Sequence, residues 1–248
     1  MPRYFLEVAY KGTNYSGFQS QHNANTIQAE IEKAFSVLQK EKIIMTGSSR
    51  TDSGVHALQN FLHFDFEKLS KTDFAYKMNA ILPDDIVVKN LIPVTQDAHC
   101  RFDALSREYK YIIYRYKDPF LKDSAFYFPY KLNFEKLQKA AAMIKEYEDF
   151  TSFSKRNTQV KSFICLIHES EWKLEKDCLV YHVKANRFLR GMVRALTATM
   201  LKIGREKMSL EEFRDIIEVK DCTKSSFAVP AQGLFLISVV YPPKLLNE

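Results

Sequence analysis

The chain has 248 residues, 46% hydrophobic and 27% charged, the balance of a folded globular protein and not of a disordered or fibrous one. At roughly 150 residues per domain this makes one large or two modest domains, and the net charge of +6 admits an acidic partner without naming it. No apolar run approaches the roughly 18 residues of a membrane span, and Met1-Pro2-Arg3-Tyr4 lacks the zones of a signal peptide, so the expectation is a cytoplasmic protein with no membrane association.

Residues 3–10 alternate as a strand does, and residues 26–40 carry a helical repeat with Ile27, Ile31, Ala34 and Leu38 on one stripe and Thr26 as N-cap. Strands are expected at 42–46 and 58–66, then a helix from 70 to 82 whose Ser70 and Asp73 form a near capping box, then a strand at 85–94. This β-α-β-β-α-β order is the split βαβ pattern of ferredoxin-like domains. An aromatic strand at 108–116 follows, then a helix at 133–146, strands at 161–174 and 179–185, helices at 187–203 and 209–219, and a strand at 234–241. Ser209 and Glu212 form a capping box. The second half is again α+β.

The cysteines Cys100, Cys165, Cys178 and Cys222 are widely spaced, with no CxxC pair, and read as buried free thiols. The six histidines form no ligand cluster, so no bound metal is expected.

Only seven glycines occur, and four serve two loops: Gly12 and Gly17 bracket one, Gly47 and Gly54 the other. The second loop, Gly47-Ser48-Ser49-Arg50-Thr51-Asp52-Ser53-Gly54-Val55-His56, combines a carboxylate, a guanidinium and an imidazole on a glycine-permitted turn, where reactive groups tend to sit. On composition alone a plain Asp-Ser-Gly turn is the simpler reading. A nucleotide P-loop fails because no Lys-Ser/Thr follows Gly54, and a serine nucleophile with His56 lacks a visible third member.

Residues 1–100 hold 10 Lys/Arg and 11 Asp/Glu, so the positive excess lies in the remainder. Between Lys184 and Lys207 stand seven basic residues against Glu206 alone. On the expected helix, Arg187, Arg190 and Arg194 are spaced 3 and 4 and would line one face, with Leu189, Met192, Val193, Leu196 and Met200 opposite. An ordinary amphipathic surface helix is the bland reading. The arginines have no acid at i,i+4 spacing and suit a planar bidentate partner such as carboxylate or phosphate. In the aromatic strand, Tyr109 and Tyr111 share one face and Tyr114 and Tyr116 the other. Most of these rings belong in a core, while one at the strand's start could stack on a nucleobase.

The run Arg50-Thr51-Asp52-Ser53-Gly54-Val55-His56-Ala57 resembles the RTDxGVHA signature of the tRNA pseudouridine synthase A family. Ordered matches accompany it: Tyr10-Lys11-Gly12-Thr13-Asn14-Tyr15-Ser16-Gly17-Phe18-Gln19, Asn79-Ala80-Ile81-Leu82-Pro83, His99-Cys100-Arg101-Phe102, Arg107-Glu108-Tyr109-Lys110-Tyr111, Asp149-Phe150-Thr151-Ser152-Phe153 and Phe188-Leu189-Arg190-Gly191-Met192-Val193-Arg194. The resemblance implies conversion of uridine to pseudouridine at positions 38, 39 and 40 of the tRNA anticodon stem-loop, by a homodimer without cofactor or metal. It also implies an α+β fold of two ferredoxin-like-related domains with antiparallel sheets and a central RNA-binding cleft. Residues 1–104 would carry the Asp52 loop, and residues 105–248 the aromatic strand and basic helix. By the same resemblance Asp52 is the catalytic carboxylate, Arg50 displaces or holds the target nucleotide, Tyr109 packs on the uracil and Arg194 pairs with Asp52. Arg187, Arg190, Lys202 and Arg205 would contact RNA. The sequence departs from the family pattern at Lys11, Phe18, Ser49 and Gly191, all outside the Asp52, Tyr109 and Arg194 set. A non-catalytic RNA-binding protein and a carboxylate-dependent glycosidase are the competing readings.

Overall fold

A computed structural model describes residues 1–67, 69, 72–156, 160–226 and 229–246. The chain divides into two compact units, Met1–Leu105 with Phe235–Glu248, and Ser106–Leu234. In chain order the elements are β1 (Arg3–Tyr10), α1 (Ile27–Gln39), β2 (Thr46–Gly47), β3 (His56–Asp65), α2 (Phe74–Asn79), β4 (Ile86–Val94) and β5 (Ser106–Tyr114). There follow β6 (Phe126–Tyr127), α3 (Phe134–Met143), β7 (Ile167–Glu175), β8 (Cys178–Ala185), α4 (Met192–Gly204), α5 (Leu210–Glu218) and β9 (Leu234–Val240). The class is α+β, and most strand pairings are antiparallel.

In the first unit β1 is central, antiparallel to β4 on one side and to β3 on the other. β3 in turn pairs antiparallel with β2 and parallel with β9. The alternating pattern predicts one buried face for β1, yet Tyr4, Phe5, Leu6 and Val8 are all buried. Both faces are therefore covered. Phe5 meets Tyr241 edge-on at 5.3 Å, and Tyr4 stacks on Phe64, which meets Phe35 of α1. Glu7 tolerates its burial because Gln59 and Asn90 both donate to its carboxylate, in keeping with the rule that a buried charge needs hydrogen bonds.

Helix α1 begins as expected: the Thr26 hydroxyl accepts from Ala29 N, and Lys40 ends it in the left-handed region. Helix α2 is shorter than the expected 70–82. Asp73 precedes it with φ 58° and makes no side-chain cap bond, while Ser70 of the expected capping box lies outside the described residues. Asn79 fastens the end of α2 to β4, donating to Val88 O at 2.9 Å and accepting from Val88 N at 2.8 Å. The strand expected at 42–46 shrinks to Thr46–Gly47.

Buried in this unit, His63 lies 3.2 Å from Cys100 Sγ through Nδ1. Burial, then the neighbouring His99 and Arg3, push its pKa from 6.5 down to about 4. The unfolded chain therefore binds a proton between pH 4 and 6.5 that the folded chain does not. The contribution is complete above pH 6.5 and is lost as pH falls toward 4, a change on the order of 3 kcal/mol. Urea-unfolding stabilities measured from pH 4.5 to 7 should rise with pH, and His63→Gln should flatten that slope. An unchanged slope would assign the pH dependence to other groups.

The second unit carries β5–β8–β7 as an antiparallel run with β6 parallel on β5. Lys176, with φ 53°, turns β7 into β8 between the paired Glu175 and Cys178. The strand expected at 161–174 starts only at Ile167. Helix α3 packs on α4 so closely that a Cβ at Gly204 would stand 2.8 Å from Leu137 Cδ2. The capping box of α5 forms as read, with Ser209 and Glu212 exchanging bonds.

Two expectations for this unit are corrected. The helix from 187 starts instead at Met192, because Gly191 at its N-cap holds φ 75°, a left-handed backbone that a continuing helix cannot contain. Nor is α4 a surface helix. All but Arg194 and Lys202 of its residues are buried, and the Thr197 and Thr199 hydroxyls are satisfied by donating to Val193 O and Ala195 O one turn back. Of the four cysteines, Cys100 and Cys165 are buried, while Cys178 and Cys222 are partly exposed. Among the described residues no helix is long and apolar enough to cross a membrane.

Candidate active site

The two glycine loops of the first unit are built against each other. A Cβ on Gly12 would stand 2.0 Å from Val55 O, and Gly17, at φ 104°, would place one 3.1 Å from Thr51 O. Both positions need glycine for close backbone approach. Phe18 is fully buried and occupies the space a side chain at Gly47 would take, its Cε1 2.2 Å from that ideal Cβ. The 11–21 loop is itself tied to the residue before β4, since Lys11 N donates to Asp85 O and both Asn14 and the Tyr15 hydroxyl donate to the Asp85 carboxylate. Burial, then that carboxylate, raise the Tyr15 pKa well above its ordinary value.

On this base the Asp52 segment is fixed residue by residue. Ser48 N donates to Phe61 O at 2.7 Å, Phe18 N to Thr51 O at 3.0 Å, and Val55 N to Asp52 O at 3.2 Å. The Thr51 hydroxyl meets Tyr10 OH at 2.8 Å, and Asn60 Nδ2 donates to Tyr10 OH and Ser49 O. Thr51 and Val55 are buried and Arg50 is exposed, while Asp52 between them is partly exposed. The turn reading is thus correct as geometry: Asp52 O accepts from Val55 N and Gly54 holds φ 78°. Its result is a carboxylate on a rigid support at the protein surface.

The serine–histidine alternative finds no support. Ser53 Oγ donates to Tyr15 O, while His56 is buried, accepts from Gly12 N through Nδ1 at 3.1 Å and stacks on Phe235 at 4.6 Å. Sequence reasoning missed Tyr10 and Asn60, which support the loop from β1 and β3. The available signal was the Gln59-Asn60 amide pair inside a strand, since adjacent strand positions face opposite sides and one of the two must be buried with partners.

In the second unit β5 sorts its tyrosines. Tyr111 is fully buried, donates to Pro230 O at 2.7 Å and fills the space above Gly233; Tyr114 is buried and Tyr116 lies exposed beyond the strand. Tyr109 is the partly exposed ring, standing edge-on to Phe188 at 5.1 Å. Arg194, in the first turn of α4, donates through both Nε and Nη2 to Val229 O at 3.0 and 2.8 Å. Arg187 and Arg190 precede the helix, so the three arginines do not form one helical face. Lys184 pairs with Glu169 across the β7–β8 ladder. Lys202 is exposed, and the Arg205 guanidinium lies 3.7 Å from the Tyr130 ring centre, a cation–π contact. No group of His, Cys, Asp and Glu among the described residues is placed to hold a metal ion.

Residues 7–103 and 143–242 match the family model described as tRNA pseudouridine synthase. The chain is 43% identical over 247 residues to the tRNA pseudouridine synthase A of Parabacteroides distasonis, an alignment covering 99% of this chain and 98% of that protein. It is 42% identical over 250 residues to the Porphyromonas gingivalis protein of the same name, covering 99% of each. With the Staphylococcus aureus protein the identity is 36% over 237 residues, 94% of this chain and 89% of the relative. The RTDSGVHA loop and its glycine-dependent seat lie inside the matched stretches, and by this match over most of its length the chain belongs to the tRNA pseudouridine synthase family.

Proposed function

We propose that the protein converts uridine to pseudouridine at positions 38, 39 and 40 of the tRNA anticodon stem-loop, using the Asp52 carboxylate and no cofactor. Isomerisation of uridine in tRNA follows from the family; the target positions and residue roles are our reading. The observation that carries it is the Asp52 loop, a partly exposed carboxylate whose neighbours Thr51, Ser53 and Val55 are each hydrogen-bonded in place. In the reaction the N1–C1′ bond breaks, C5–C1′ forms, the C5 proton leaves and N1 takes up a proton, so product and substrate are isomers and the balance needs no oxidant or reductant. A carboxylate can attack the nucleoside or remove its proton.

A uridine stacked in RNA hides these atoms and must be flipped out, at a cost of a few kcal/mol offset by backbone contacts and stacking. Arg50, exposed two residues before Asp52, holds or replaces the flipped nucleotide, and Tyr109 packs on the uracil. Arg194 supplies a positive partner to the carboxylate in the reactive complex. Arg187, Arg190, Lys202 and Arg205 contact RNA phosphates, and the working form is a homodimer; both assignments rest on the family resemblance.

Pseudouridine mapping of total tRNA from cells with and without the protein tests this directly. Loss at positions 38 to 40 supports the reading and an unchanged map overturns it; release of free uracil would mark a glycosidase. Arg194→Lys should lower the single-turnover rate roughly 10- to 100-fold, since an ammonium cannot chelate Val229 O through two planar donors and still serve a further anion. A near-wild-type rate would remove Arg194 from the mechanism. Lys202→Ala should weaken tRNA binding modestly and reduce the salt slope by about one. An unchanged slope would mean that Lys202 faces only solvent.

A further inference from the structure

We propose that the first unit holds a second nucleotide subsite beside the Asp52 loop, where an unpaired base of the RNA stacks on Phe102 and the flanking phosphates meet Arg50 and Arg101. The inference rests on the RNA reading above and adds to it a place for a nucleotide other than the one isomerised.

A cleft of about 260 Å³ opens between the β2 region and the 99–102 turn, with Gln19, Thr46, Arg50, His99, Arg101 and Phe102 among its walls. That volume falls below the roughly 300–1,000 Å³ of pockets for drug-sized ligands and suits one planar group with its sugar. Among the described residues no Asp or Glu lines it, so two guanidinium groups set its charge. Phe102 presents its ring with 74% of the residue exposed. One exposed apolar residue alone means little, but this ring is held ready. It lies 4.3 Å from the His99 ring, and the Arg101 guanidinium stands 5.7 Å from its centre.

The support beneath is a closed turn. Asp103 Oδ2 accepts from His99 N at 2.7 Å, Phe102 N and Asp103 N donate to His99 O, and Arg101 N donates to His99 Nδ1. The His99 ring in turn packs on buried His63 at 4.5 Å. The Asp103 carboxylate is thereby committed to the turn, and the aromatic platform is oriented before any ligand arrives. A rigid ring flanked by arginines is the arrangement that binds single-stranded nucleic acid, with stacking on the ring and phosphates on the charges. The exposed Gln19 amide on the cleft wall offers both a donor and an acceptor to a base edge. Paired stem bases cannot present a face to such a ring, so the occupant is an unstacked loop nucleotide.

The test uses anticodon stem-loop RNAs carrying 2-aminopurine at one unpaired position at a time, with wild-type protein, Phe102→Leu and Phe102→Trp. At one position wild-type binding should quench the fluorescence. Phe102→Leu should abolish that quench and raise KM roughly 5- to 150-fold, the range for losing one stacked base, with the rate at saturating RNA unchanged; Phe102→Trp should restore both. Because the ring is exposed, these variants keep the fold, which a thermal melt verifies. An identical quench and KM in Phe102→Leu overturns the subsite, as does a lower saturating rate with KM intact. Failure of the catalytic reading would show separately, as absence of tritium release from uridine-labelled tRNA by the wild type, and the quench tests the cleft in either case.

Discussion

Asp52→Asn should remove essentially all tritium release from tRNA labelled at C5 of uridine while leaving tRNA affinity and folding near those of the wild type. The substitution is isosteric, and the turn at this residue uses its backbone carbonyl, which accepts from Val55 N. The side chain is partly exposed and Asn keeps its shape and one acceptor oxygen, which holds the expected cost to about 1 kcal/mol, or a Tm shift of about 2–4 °C at this chain length. The chemistry is a different matter. An amide neither attacks a sugar carbon nor accepts a proton at neutral pH, so both routes open to a carboxylate close together. A positioned acid–base group contributes typically 10²- to 10⁴-fold; losing the nucleophile as well sets the expected fall at about 10⁴-fold or more. Retained turnover with unchanged pseudouridine yield would rule out Asp52 as the catalytic group. A loss of activity accompanied by a large drop in Tm would instead mean that the side chain supports the loop.

Much of the local structure was legible because its causes are local. Thr26 caps α1 and Ser209 boxes α5 by bonds that span three residues, and those spacings are visible in any sequence. The four glycines of the two N-terminal loops marked the right segments, because glycine recurs where the backbone has no room for a Cβ or must turn left-handed. What they could not reveal was that the loops touch: Gly12 and Val55 meet across 43 positions, and no pattern in either loop encodes its partner. Asn60 was missed for the same reason, since its partners Tyr10 and Ser49 are remote in sequence. The basic segment misled in the opposite way. A spacing of 3 and 4 between Arg187, Arg190 and Arg194 imitates a helical face, yet one left-handed glycine at 191 separates the first two from the helix. Glycine is neutral evidence within a periodic pattern until its φ is known.

The strand limits followed the same logic. Among the described residues the stretch at 161–166 pairs only through the isolated Asp149–Ile164 bridge, so β7 begins at Ile167, later than hydropathy suggests. Conversely β6 exists only because residues 126–127 lie beside β5, and two residues carry no period to read. Of the candidate site, the resemblance supplied the identity of Asp52, and the structure supplied its support, from Tyr10, Asn60 and Phe18 to the two close-packed glycines.

That dependence makes Gly12→Ala the second large effect, at a position that bears no reactive group. A methyl there would stand 2.0 Å from Val55 O and 2.8 Å from Val55 C, backbone atoms that cannot rotate aside as a side-chain tip could. Gly12 also donates to His56 Nδ1 and accepts from Tyr15 N, so its own segment resists moving away. Val55 is the residue more readily displaced, and it closes the turn on Asp52. Overpacking of this kind costs about 1–3 kcal/mol, which predicts a Tm lower by roughly 3–10 °C at this chain length. Displacing a catalytic group by about 1 Å costs on the order of 10²-fold, so the single-turnover rate should fall about a hundredfold at temperatures where the variant is folded. Faster amide exchange at Phe18 and Val55, whose N–H groups bond within the paired loops, would locate the disturbance. Gly233→Ala is the matched control, because its Cβ would strike the Tyr111 ring in the other unit at 2.7 Å and should destabilise the protein while sparing the Asp52 loop. A lowered Tm in Gly12→Ala with full turnover would show that the carboxylate is positioned by something other than this contact; a rate that falls with the loop amides exposed identifies the glycine seat as the device that aims Asp52.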